Sequence, residues 1–364
     1  MKKPIPNTVK ATLALLLLGS LGLPLATPVH AHPGHDHPIV TPAPTTDPVY
    51  GAGWKPLEAI AGGPRQEHSV AAVAGDVYVI GGIVRDGSGG VVTTARVEVY
   101  DTRRGTWRNA APLPVAMNHP NVAVVGGRIY VLGGLSGGAS WQALSDSFVY
   151  EPRRDRWQPL PPVPAGLVRG SAAVGVHGGI IYLAGGMRTL TPGPGGLQDT
   201  VATVSAYHPA TGRWTALPDL PEARDHVAGA IVNGTFYVLG GRDRGQVNVR
   251  DTVYAMDLRA RTRAWTDRAP MPTARGGIAF AAVGDRIYTF GGEGNVIDGV
   301  NGVFGQTEAY DTRTDRWQRL APMPVPRHGT AAVTVGDTIY IPGGGNLGGG
   351  APVATHDAYR PARR

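Results

Sequence analysis

Short apolar runs come in pairs along this chain, each pair split by a step of two or three residues rich in glycine, aspartate or asparagine. In the first copy, residues 70–73 and 77–80 flank Gly75-Asp76. Later copies place Gly126-Gly127, His177-Gly178-Gly179, Asn233-Gly234, Gly284-Asp285 and Gly336-Asp337 at the same step. Such steps favour positive φ and predict tight β-hairpins. A third run, such as residues 96–101, follows a longer polar loop and usually ends in an aromatic residue, and a fourth carries a single tryptophan. The pattern predicts four antiparallel strands per copy and six copies, at a period of about fifty residues.

Each second run ends in a Gly-Gly pair, the six pairs starting at Gly81, Gly133, Gly185, Gly240, Gly291 and Gly343. Trp107, Trp157, Trp214, Trp265 and Trp317 follow the first five. No tryptophan follows the sixth, whereas Trp54 stands near the start with no Gly-Gly before it. Sheets this short, apolar on both faces, must stack on neighbours. A closed ring accounts for the offset: residues 53–59 supply the outer strand of a last blade whose other strands come from residues 330–359. The Gly-Gly pair, the tyrosine of the third strand and the tryptophan of the fourth resemble kelch repeats over residues 53–360. The resemblance implies an all-β fold, a six-bladed β-propeller of four-stranded antiparallel blades. The marked Gly, Tyr and Trp residues then belong to the scaffold.

Residues 1–31 read as a secretory signal peptide: Lys2, Lys3 and Lys10 precede an apolar run, and Val29-His30-Ala31 fits a small-x-small cleavage site. Periplasmic or secreted localisation is expected, with no stable membrane span after cleavage. Residues 32–52 form a His- and Pro-rich spacer and residues 361–364 a tail. Loss of the leader lowers the net charge from +7 to +4, which favours neither nucleic acid nor a membrane surface. The chain contains no cysteine, so neither disulfides nor thiolate chemistry contribute. No cofactor is expected and a monomer is. His32, His35 and His37 are candidate ligands for copper or zinc.

Sixteen residues before the first Gly of each pair stand Arg65, Arg169, Arg224, Arg275 and Arg327, with Met117 in the second copy. Placed at the entry to the inner strands, they are expected to form a positive collar for a carboxylate or sulfate, reinforced by Arg188, Arg242 and Arg244. The bland alternative pairs them with loop carbonyls or with acids such as Glu67, Asp146, Asp199, Asp225 and Asp251. His68, His119, His226 and His328 occur near the same entry point. Glu293, directly after the fifth pair, is the one weak candidate for a general base, and no catalytic residue is assigned. The preferred reading is an exported module that binds a protein, glycan or anionic ligand on its loop face. A carbohydrate enzyme of the sialic-acid mutarotase kind and an envelope scaffold are the alternatives. A galactose-oxidase-type copper enzyme, which needs a Cys-Tyr crosslink, is excluded by the missing cysteine.

Overall fold

The computed structural model describes residues 51–192, 197–297 and 300–362. Six four-stranded antiparallel sheets are arranged as a propeller. The inner strands Ser69–Val73, Val122–Val125, Ala173–His177, Ala228–Val232, Ala279–Val283 and Val333–Val335 touch one another in cyclic order, the last returning to the first. Closure follows the displaced tryptophan: strand Trp54–Pro56 pairs with His356–Tyr359, setting Trp54 opposite Tyr359. Below it, Leu57 donates its backbone N–H to His356 at 3.0 Å and Ile60 donates to Ala354 at 2.9 Å. The hairpin turns fall where the glycine steps predict. In the first blade the turn is Ala74-Gly75, one residue earlier than the sequence suggested, and in the third it is the tight Gly178-Gly179.

The repeated residues stitch neighbouring blades together. The indole N–H of Trp157 donates to the Ala111 carbonyl of the blade before at 2.8 Å, and Trp317 does the same to Ala269. Trp54 donates to Ala321 at 2.9 Å, so the bond that closes the ring repeats the bond between blades. In five blades the second Gly of the pair gives its N–H to the carbonyl of the residue that opens the next blade: Gly82 to Met117, Gly186 to Arg224, Gly241 to Arg275, Gly292 to Arg327 and Gly344 to Arg65, at 2.7–3.0 Å. A Cβ at Gly81 or Gly291 would strike that same carbonyl oxygen, and both glycines have positive φ. Close approach and left-handed backbone together require glycine here.

One further ring lies at the axis. Glu67, His119, Ser171, His226, Gly277 and Gly329, one from each blade, all have φ between 48° and 62°. Their N–H groups donate around the circle: His119 to Glu67 at 2.7 Å, Ser171 to His119 at 3.1 Å, Gly277 to His226 at 2.9 Å, Gly329 to Gly277 at 3.1 Å and Glu67 to Gly329 at 2.6 Å. At the one remaining junction the Ser171 hydroxyl oxygen accepts the His226 N–H at 3.0 Å. Four non-glycine residues are thereby held in a strained left-handed conformation, which persists only where surrounding bonds over-determine it.

His356, in the strand that receives Trp54–Pro56, is buried against Tyr100, ring centroids 4.6 Å apart, and its Nδ1–H donates to the Glu58 carbonyl at 3.2 Å. Burial, aided by the charge of Arg327, pushes its imidazole down to about 3. The neutral ring is the folded form, whereas the unfolded ring takes a proton near pH 6.5. Its contribution is therefore complete above that pH and is lost as the pH falls from 6.5 towards 3, by about 2 kcal/mol at pH 5. Thermal melts should show a shallower decline between pH 7 and 5 for His356→Phe than for the parent; parallel curves would contradict the assignment.

Candidate functional site

The axial ring carries the chemistry of one face. A cavity of about 460 Å3 opens above it, with Ile83, Trp141, Leu190 and Leu197 among its walls and Glu67, Arg242, Glu293 and His328 towards its floor. A narrower channel of about 100 Å3 lies against the other side of the same ring residues. The site is built from two positions of the repeat. The ring position supplies Glu67, His119 and His226. The residue directly after Gly-Gly supplies Ile83, Leu135, Met187, Arg242, Glu293 and Gly345, each bridged to the residue just before the ring. Blades one to three thus contribute apolar groups at this second position, and blades four and five contribute charges.

Arg242 organises the charged half. It donates to Glu293 Oε1 at 2.6 Å and to His226 Nε2 at 2.8 Å, and its Nε lies 3.4 Å from Asp225 Oδ1. Asp225 is fully buried and also accepts from Gln198 at 2.7 Å, from Thr200 and from His226 Nδ1 at 2.6 Å. His119 sits between Glu67 Oε2 at 2.8 Å and His226 Nε2 at 2.9 Å, with its ring packed on Trp141 at 4.8 Å. His328 gives its Nε2–H to the Leu347 carbonyl at 2.8 Å.

Burial pushes the Glu67 carboxyl up, but His119, His226 and His328 more than offset this and hold it below the ordinary carboxylate range. Glu293 is likewise raised by burial and lowered further by His328 and Arg242, ending below its usual value. A carboxylate so stabilised, with one oxygen held by a guanidinium, is a poor proton acceptor. The geometry therefore places Glu293 in the floor of the site as a partner of Arg242.

Two models of known families match. A KLHDC2/KLHL20/DRC7 Kelch-repeats domain covers residues 173–359, and a Kelch motif covers residues 64–114 and 117–164. The chain belongs to the kelch-repeat family. Among curated kelch relatives, Kelch-like protein terF of Aspergillus terreus is 42% identical over 300 residues, covering 82% of this chain and 65% of that protein. Kelch-like protein 36 of Rattus norvegicus is 30% identical, with 67% of this chain and 38% of the relative covered. The chain thus spans less than two thirds of these relatives' lengths. The solved structure of YjhT overlays with a TM-score of 0.67 at 16% identity, covering 82% of this chain and 95% of that one, a likeness of fold.

The expected arginine collar is not presented to the pocket of this kelch propeller. Arg65, Arg169, Arg224, Arg275 and Arg327 are buried within their own blades, each 0–2% exposed. Arg65 pairs with Glu98, Arg275 with Glu308 at 2.6 Å and Arg327 with Asp357 at 2.7 Å. Arg169 donates to Ser205 Oγ at 3.0 Å and to the carbonyls of Gly185 and Leu183. Arg224 bonds Thr252 and Glu222 and lies 4.5 Å over the Tyr254 ring. Glu98, Ser205, Thr252, Glu308 and Asp357 lie on the third strand or at its edge, whereas Glu222 stands two residues before Arg224, and none of these acids is among Glu67, Asp146, Asp199, Asp225 and Asp251. Where the arginine becomes Met117, the matching third-strand position is Phe148, and both lie in one apolar cluster. The second copy has exchanged a buried polar pair for an apolar one.

Of the loop arginines, Arg188 pairs with Asp199 at 2.8 Å at the surface, and Arg244 lies 3.9 Å from Asp243. His68 turns away, 2.8 Å from the Pro342 carbonyl, so three of the four noted histidines reach the site. His32, His35 and His37 lie outside the described residues.

Proposed function

We propose that the chain is an exported kelch module whose loop face receives a projecting, partly apolar segment of a protein partner in the pocket above the axial ring. The carrying observation is the placement of exposed apolar side chains. Among the described residues, the large exposed hydrophobics are Val92, Leu197, Val247 and Leu347, and all four lie on loops that follow Gly-Gly pairs. Leu197 lines the concave, partly apolar pocket, Val92 and Val247 directly follow its lining residues Val91 and Gln246, and the Leu347 carbonyl holds its lining residue His328, the composition expected of a docking centre. The acidic floor argues against an anionic ligand, and with the five arginines committed within blades the sugar-enzyme reading loses the residues that motivated it. The basic start, apolar run and Val29-His30-Ala31 of the leader support export.

Peptides selected from a displayed library against the mature protein test the reading. Their affinity should fall more than about tenfold on Leu197→Asp/Leu347→Asp with the melting temperature unchanged, since both side chains are exposed. Exported material should begin at His32 by intact mass. A selected pool that binds the double variant as well as the parent would overturn the docking assignment, and an unprocessed, retained chain would overturn export.

A further inference from the structure

The axial ring gathers more lone pairs than it has donors. His119 Nδ1 lies 2.7 Å from Asn118 Oδ1, and His226 Nδ1 lies 2.6 Å from Asp225 Oδ1. A ring that donates from Nδ1 to such an oxygen presents Nε2 as a lone pair, the second-shell arrangement that orients metal-binding imidazoles. The two Nε2 atoms and a Glu67 carboxylate oxygen lie within 4.8 Å of one another, and all three side chains are buried. The separations, 2.8 Å from His119 to Glu67 and 2.9 Å from His119 to His226, are near the roughly 3 Å between ligands at right angles on an ion with bonds of about 2.1 Å.

A second observation points to the same place. Glu293 Oε2 and His328 Nδ1 are buried without a hydrogen-bond partner. His328 Nδ1 lies 3.4 Å from Glu293 Oε2 and 3.8 Å from Glu67 Oε1. Because His328 Nε2 is committed to the Leu347 carbonyl, its Nδ1 is also a lone pair in the neutral ring. Buried acceptors facing one another without donors are unfavourable unless a cation lies among them. Leaving the imidazoles aside, three carboxylates, Glu67, Asp225 and Glu293, face the guanidinium of Arg242, a formal charge of −2 for protons on the rings or a bound cation to offset.

We propose that Glu67, His119 and His226 form a site for a divalent first-row transition-metal ion on the pocket side of the axial ring. Two imidazoles and one carboxylate suit such an ion and leave coordination positions for water or a partner group. The ligands come from blades one, two and four, and their left-handed backbones belong to the circumferential bond network that fixes their relative positions. Arg242 is the built-in competitor, since it donates to the same His226 nitrogen. Metal binding requires it to give up that bond while keeping Glu293. The site uses none of His32, His35 and His37, and it does not depend on which partner fills the pocket.

The test uses the full chain, stripped with chelator and re-equilibrated with Zn2+ or Co2+ alone, then passed through gel filtration and measured by elemental analysis, calorimetry and Co2+ absorption. One ion per chain should remain bound in a variant with His32, His35 and His37 changed to Ala. Affinity should fall at least about 100-fold in Glu67→Gln and in His226→Asn. Glu67→Gln preserves size, so it decides the matter if a histidine variant fails to fold. Binding that disappears with the three N-terminal histidines, or that persists unchanged in folded Glu67→Gln, would overturn the proposal, as would the lack of any stoichiometric ion.

Discussion

Deleting residues 53–59 should destabilise the whole domain. The truncated last blade would present the free edge of His356–Tyr359, and Trp54 would be lost from its place against Tyr359 and Phe290, at centroid distances of 5.0 and 5.6 Å. Truncating a buried tryptophan alone costs about 3–5 kcal/mol, and the exposed edge adds unpaired backbone groups and an aggregation-prone template. Against a usual domain stability of roughly 5–15 kcal/mol, the deletion removes a large share. We expect a melting temperature lower by about 10 °C or more in calorimetry, or loss of a cooperative transition. Trp54→Ala should show part of the same shift. A truncation that melts with the parent would mean that closure contributes nothing.

The second large effect concerns the buried ion pair of the fifth blade. Arg275→Ala would leave Glu308, fully buried, with Thr273 at 2.8 Å as its remaining side-chain donor. Breaking such a pair from one side costs about 3–5 kcal/mol, because the surviving charge has no counter-ion and no water. Arg275→Met combined with Glu308→Phe should recover most of that loss. The second blade already holds Met117 and Phe148 at these positions. Chemical denaturation of the single and double variants checks both claims. A single variant within about 1 kcal/mol of the parent would refute the pair's structural role. Peptide binding on the loop face should persist in the double variant, since neither residue lines the pocket.

Strands, period and closure were legible because each rests on local chemistry: alternating apolar residues, hairpin glycines and one tryptophan per blade. The arginines were misread because their partners are not local. Glu98, Glu308 and Asp357 stand 33, 33 and 30 residues further along, each inside a third strand. A signal was present all the same, since an acid between Val97 and Val99 or between Thr307 and Ala309 needs a buried counter-charge. Four histidines near one entry point are legible in the sequence, but the meeting of three of them with Glu67 and Glu293 is not. The useful register is the ring position two residues after the arginine or Met117, and His68 and His328 sit one residue to either side of it. Only the left-handed backbone at Glu67, His119 and His226 distinguishes residues on the ring from their neighbours, and periodicity carries no trace of it.

The circle of bonds at the axis, five between backbone groups and one through the Ser171 hydroxyl, makes this propeller a cup rather than a pipe. Whatever occupies the upper chamber enters and leaves by the same mouth, so a chain cannot thread from one face to the other. Exchange with solvent is then governed by the loops alone. Lengthening or trimming them should alter how long a guest stays while the base of the vessel keeps its shape.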